Sequence, residues 1–255
     1  MKPILFAPFF IILSQLSAQN PSSGVIEYET TVQFKLNVQT DDGPPPPMME
    51  HMPTQRSFKH LLFFSAKESY YLNGEDDGQP TEINGNQGGA VFSLKMPIPE
   101  VKIYRNLETG VATESRDFLG KYFLIKGTPK GQNWKMTKDI KTINTFVCQK
   151  AVYVQDSLNT IEAWFSPQIP VSAGPENYAG LPGLILEMNF NDGRRVIKAS
   201  KIELKSLQTG DIIIPDKGKE VTYEEFEKIR DEKMKEMGAR KGSGGEMKVI
   251  IRTEN

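Results

Sequence analysis

IEAWFSPQIPVSAGPENYAGLPGLILEMNF, residues 161–190, carries two strand patterns separated by a proline-rich excursion. Ile161, Ala163 and Phe165 alternate with Glu162 and Trp164, the two-residue period of a β-strand. Pro167, Pro170, Pro175 and Pro182 each remove a backbone donor and hold the preceding residue extended, which excludes a helix or an inner strand. Leu181-Pro182-Gly183-Leu184 has proline second and glycine third, as a type II turn requires. In the next strand Leu184, Leu186, Met188 and Phe190 point one way, and Ile185, Glu187 and Asn189 the other. Asn191-Asp192-Gly193-Arg194 supplies a tight hairpin, and the chain returns through Val196, Ser200, Ile202 and Leu204 on alternating positions. The excursion has two readings: Ile169, Val171, Tyr178 and Leu181 plug the underside of a sheet, or Trp164, Tyr178, Leu181, Pro182 and Gly183 present a surface to a ligand or partner.

Outward from this stretch the chain reads as one mainly β domain. Ile26, Tyr28, Thr30, Val32, Phe34 and Leu36 share one strand face, with Glu27, Glu29, Gln33 and Lys35 on the other. Further strands are expected at residues 57–65, 68–72, 101–106, 111–117, 121–126, 134–140 and 146–154, joined by turns at Glu108-Thr109-Gly110 and near Gly120. Residues 41–56 form a Pro/Met-rich loop, and residues 73–89 read as a long surface loop whose Glu75, Asp76 and Asp77 lack EF-hand spacing. Thr222-Tyr223-Glu224-Glu225 is a capping box opening a helix over residues 222–238, with Phe226, Ile229, Met234 and Met237 as its apolar stripe. A last strand at residues 247–252 is placed at the sheet edge.

The head of the chain gives an address. Lys2, an apolar run over residues 4–13 and Leu16-Ser17-Ala18 before Gln19 read as a cleaved signal peptide, residues 1–18, followed by one domain over residues 19–255. No cysteine near that site invites lipidation, and no later segment reaches membrane-spanning length, so a periplasmic or secreted product with no membrane span after cleavage is expected. The chain of 255 residues is 38% hydrophobic, enough for a sizeable core, and its formal net charge of −1 without a basic stripe argues against nucleic acid.

The hexapeptide Gly180-Leu181-Pro182-Gly183-Leu184-Ile185, preceded by Ala163-Trp164, Ile169-Pro170 and Gly174-Pro175, resembles the signature of the GLPGLI family of exported bacterial proteins. Cys148-Gln149-Lys150-Ala151 resembles that family's Cys-x-Lys-Ala strand. The resemblance implies an exported protein but assigns no catalytic or binding residue. A strand, a Trp, an Ile-Pro loop and a returning strand are also similar to the curved half-barrel sheets of lipoprotein-carrier-like periplasmic proteins. The expected fold is therefore an antiparallel, strongly curved sheet or half-barrel with one C-terminal helix on its concave side.

There is no GxSxG elbow, HExxH, Walker loop or dinucleotide motif, and two histidines leave little for a Ser-His-Asp triad or a three-histidine zinc site. A carboxylate pair could still meet in space. Cys148, the one cysteine, shares a face with Phe146, Val152 and Val154 and reads as buried. The expectation is a non-enzymatic binding or accessory protein of the cell envelope, without a cofactor, that holds an apolar small molecule or contacts an envelope protein. The alternative is copper binding, since Met48, Met49, His51 and Met52 offer soft thioethers and an imidazole suited to Cu(I).

Overall fold

The computed structural model describes residues 22–33, 35–40, 54–74, 81–87, 90–96, 98–156, 159–236 and 246–251. The strands are β1 (Gly24–Gln33), β2 (Lys35–Thr40), β3 (Gln55–Phe64), β4 (Glu68–Asn73), β5 (Thr81–Gln87), β6 (Ala90–Met96), β7 (Val101–Asn106), β8 (Ala112–Phe118), β9 (Lys121–Gly127), β10 (Lys135–Ile143), β11 (Phe146–Asp156), β12 (Asn159–Ser166), β13 (Leu184–Phe190), β14 (Arg195–Leu204), β15 (Lys219–Thr222) and β16 (Glu246–Ile251). One helix, α1 (Tyr223–Glu236), completes the described elements.

Twelve strands form one sheet in the order β10-β11-β12-β13-β14-β1-β3-β4-β7-β8-β9-β15. It consists of two antiparallel meanders joined where β1 lies between β14 and β3, and β15 adds in parallel beside β9. One cross-strand row shows how the core is laid down. Ile202, Ile26, Leu62, Tyr71, Ile103, Glu114, Ile125 and Val221 are successive partners across β14, β1, β3, β4, β7, β8, β9 and β15. Each large apolar member buried there contributes about 1.5–3 kcal/mol relative to exposure. Glu114 is the exception, a carboxylate in an apolar row.

The sheet is open and not strongly curled: β10 and β15 end the strand order, and no ladder joins them. This corrects the expected strongly curved sheet or half-barrel. The physical reason is that the chain itself fills the face a half-barrel would wrap around. Ile169, Val171, Ala173 and Leu181 are buried in the main core with Leu184, Leu186, Met188 and Phe165. Nor does α1 lie in a central concavity. It packs at one end, where the Phe226 ring meets Phe118 at 5.8 Å and Phe123 at 5.4 Å, and its neighbours are β9 and β15.

Residues 167–183 are irregular but internally bonded. Val171 N donates to Ile169 O at 2.8 Å, Ala173 N to Val171 O at 2.9 Å and Gly183 N to Leu181 O at 2.8 Å, three-residue turns centred on Pro170, Ser172 and Pro182. The expected type II turn at residues 181–184 is thus a tighter one, because Leu184 N is committed to Ile169 O at 3.0 Å. Gly183 is required there by close approach: a Cβ would strike the Ser166 carbonyl.

Other local readings differ as well. Residues 73–89 contain a strand rather than only loop: β5 pairs antiparallel with β6, Gln87 lying opposite Ala90. The last strand pairs in parallel with β2, not with the large sheet's edge. The helix cap is reciprocal, Glu225 N donating to Thr222 Oγ1 at 3.2 Å and Thr222 N to Glu225 Oε2 at 2.8 Å. Of the apolar stripe, Phe226 is buried, Ile229 half-buried and Met234 exposed. The signal-like residues 1–18, residues 41–53, Glu75, Asp76, Asp77 and Met237 lie outside the described residues.

Gly183→Ala is expected to cost about 2 kcal/mol or more, since backbone must move. Gly193→Ala, at φ +94 with nothing within 4 Å of the added Cβ, should cost only about 1 kcal/mol. Urea unfolding of both variants checks the order, and equal losses would remove the close-approach argument.

Candidate functional site

The charged residues of the covered face come from three places. On β8, Ala112, Glu114 and Arg116 share the inward phase, and the Arg116 Nε donates to Glu114 Oε1. On β14, Arg195 lies opposite Phe190, and its guanidinium stacks 3.9 Å from that ring's centroid. The tip of the 167–183 segment supplies Glu176, Asn177 and Tyr178.

Glu176 ties the tip of the segment to β14. Its oxygens accept from Arg195 Nη1 at 2.6 Å and Nη2 at 3.3 Å, a two-pronged contact. Its backbone is left-handed at φ +54, uncommon for a residue with a Cβ. Burial alone would raise its carboxyl, but the Arg195 and Arg116 guanidiniums hold it below the usual carboxylate range. Asn177 is fixed on both sides. Arg105 Nη1 donates to its carbonyl at 2.9 Å, and its own Nδ2 donates to Glu114 Oε2 at 2.7 Å and to Tyr223 Oη at 3.3 Å. The acceptor-only carboxylate dictates that amide's orientation. Asn177 Oδ1 is thereby left buried and, among the described residues, without a hydrogen-bond partner.

Glu114, Arg116, Glu176, Asn177, Tyr178, Arg195 and Tyr223 line a cavity of about 500 Å³, within the size range of small-molecule sites. Phe118, Ile125 and Phe226 form an apolar wall; Tyr153, Tyr178 and Tyr223 are its aromatic rim. Its charged members are Arg116, Lys130, Arg195 and Arg230 against Glu114, Glu176 and Glu227. The cavity is therefore polar on one side, not the apolar hollow expected from the strand pattern.

The residues singled out by sequence are dispersed. Tyr178 lines the cavity, packed edge-on against Phe190 at 5.6 Å and tilted toward Trp134 at 6.4 Å. Leu181 is buried in the core, Pro182 is exposed and Gly183 is buried beneath Ser166. Trp164 alternates with the buried Ala163 and Phe165 and so faces the other way, with Lys141 Nζ 4.3 Å from its ring centroid. Met48, Met49, His51 and Met52 lie outside the described residues. Among the described residues, no group of three or more His, Cys, Asp or Glu side chains is arranged to hold a metal ion, and no helix is long and apolar enough to cross a membrane.

Glu114, Arg116, Glu176, Asn177 and Arg195 were not singled out from sequence. A charge in the inward phase of β8 was the available signal. For Arg195 the signal was hidden: Tyr28 pairs with Ala199 but Glu27 with Lys201, so Ser200 is a bulge residue. The bulge puts Arg195, Ile197 and Ala199 inward, opposite to the alternation extrapolated through Val196 and Ser200.

His60 and Cys148 are titratable groups buried outside the cavity lining. Burial lowers His60 to about 4; its ring stacks on Tyr71 at 4.8 Å and its Nδ1 lies 3.1 Å from Thr30 Oγ1. Burial pushes the Cys148 thiol up to about 11, which removes it as a nucleophile near neutral pH.

Glu114→Ala is expected to destabilise by about 3 kcal/mol, because it strands Arg116 and Asn177. Glu220→Ala, which breaks an exposed pair with Lys126, should cost at most about 0.5 kcal/mol. Similar losses in urea melts would refute the buried-network reading. His60 binds its proton more weakly folded than unfolded, so its stabilising contribution is full above pH 6.5 and is lost as pH falls through about 4. Wild type should lose about 2 kcal/mol between pH 7 and pH 5 from this group, a loss that His60→Gln lacks. Parallel pH profiles for the two proteins would contradict it.

Residues 154–187 match a family described as "Protein of unknown function (Porph_ging)", a range that includes the hexapeptide at residues 180–185. No curated protein matches the chain. Among solved structures, PNGF-II in space group P21 superposes with a TM-score of 0.50 at 15% identity, covering 82% of this chain and 33% of that one. PNGF-II in space group C2 gives 0.50 and 15%, covering 82% and 32%. The chain spans about a third of the length of that protein, and the likeness is one of fold.

Proposed function

We propose that this is an exported, GLPGLI-type protein of the bacterial envelope that works by binding rather than by catalysis, with a small polar ligand held in the cavity beside Glu176. The carrying observation is the fixed polar wall: Glu176 in a left-handed conformation clamped by Arg195, and Asn177 held by Arg105, Glu114 and Tyr223 with its Oδ1 unpartnered among the described residues. Backbone held in a sparsely populated conformation, with its side chain in a charged cavity, suits a preorganised receptor. Chemistry finds less support. Glu176, kept ionised by two guanidiniums, is a poor proton donor, and His60 and Cys148 are buried outside the cavity lining. The polar lining replaces the apolar ligand expected from sequence with a polar one.

Native mass spectrometry of the mature protein, purified from its own periplasm without detergent or chelator, tests this reading. A retained mass released by acid but not by organic solvent is expected. A bare polypeptide mass would count against a resident ligand, and a mass released only by organic solvent would restore the apolar one.

A further inference from the structure

We infer that the ligand's recognised group is the C-terminal carboxylate of a peptide, bound by Arg116 with its neighbouring amide N–H donated to Asn177 Oδ1; this rests on the cavity being a binding site, as proposed above. Arg116 and Asn177 are among the lining groups with unused hydrogen-bonding capacity. Arg116 spends its Nε on Glu114, and among the described residues its two terminal nitrogens have no hydrogen-bond partner. Arg195, by contrast, has both terminal nitrogens on Glu176, and Arg105 is turned to the Asn177 carbonyl. A guanidinium with a free planar fork matches the two oxygens of a carboxylate. The second group, Asn177 Oδ1, accepts only, so its partner must bring an N–H or O–H.

The charge balance narrows the class. Arg116, Lys130, Arg195 and Arg230 face Glu114, Glu176 and Glu227, and Arg230 is also paired with Asp231, so the site has no positive surplus to hold a phosphate dianion and suits a monoanion better. A free amino acid would add an ammonium, yet Glu114 and Glu176 are already matched to Arg116 and Arg195. An acylated amine supplies the donor without that charge, which is the chemistry of a peptide's last residue. The Phe118, Ile125 and Phe226 wall then faces its side chain, favouring an apolar one.

The test is isothermal titration of the full mature chain with acetyl-Ala-Phe and with its C-terminal amide. The carboxylate is expected to bind about tenfold or more tightly than the amide. Arg116→Gln should abolish that preference, and Arg116→Lys, which keeps the charge without the fork, should retain part of it. The amide comparison uses wild-type protein and holds even if a variant folds poorly. Equal binding of acid and amide, or a preference surviving in folded Arg116→Gln, overturns the inference. No peptide binding together with another polar molecule retained in native mass spectrometry overturns it while the proposed binding function stands; no peptide binding with a bare mass overturns both.

Discussion

Two backbone hydrogen bonds hold the functional face together: Leu184 N to Ile169 O and Ile185 N to Ala173 O, each 3.0 Å. They tie the proline-rich segment to the first residues of β13, so that a stretch with little ladder pairing of its own is carried by the sheet. Tyr28, fully buried on β1, adds a third tie by donating from its hydroxyl to Ile185 O at 2.5 Å. Gly174 permits the approach, since a Cβ there would come within 2.8 Å of the Ile185 side chain. With both ends fixed in this way, the tip at Glu176 and Asn177 has a defined place over β8 and β14.

The charges beneath that tip are costly to bury and are matched one by one. Glu114, 2% exposed in an otherwise apolar cross-strand row, accepts from Arg116 and Asn177; Glu176 accepts from Arg195. Such pairs seldom increase net stability over well-packed hydrophobic residues, although breaking one is expensive. Their value lies in fixing geometry, and here they hold Arg116 and Asn177, whose Oδ1 has no partner among the described residues, in the lining of one cavity. The opposite face is different in kind. Lys150 pairs there with Asp139 and Glu162, carboxylates with more solvent access, where most pairs contribute little to stability.

Fold likeness and local signature bear on different parts of this picture. The similarity to PNGF-II covers 82% of the chain and concerns the arrangement of strands. The family match at residues 154–187 covers β12 and the whole 167–183 segment that crosses the face. Neither assigns the role of Glu114, Arg116 or Arg195, which follows from hydrogen bonds, charge and cavity shape.

The amino-acid pattern by itself determined the mainly antiparallel β character, the hairpin at residues 191–194, the burial of Cys148 and the reciprocal cap on α1, because each depends on residues close in sequence or on a two-residue period. The copper-loop and signal-peptide readings concern residues outside the description. Sheet openness, the tighter turn at Pro182 and the site itself were decided only in three dimensions. Whether twelve strands curl depends on what fills their face, and the turn depends on Ile169 claiming the Leu184 amide. The site needed the bulge at Ser200, which reverses the facing of Arg195, and contacts between Glu114 and Asn177, 63 residues apart. A one-dimensional pattern records alternation, but not where a bulge resets it or which distant charges it brings together.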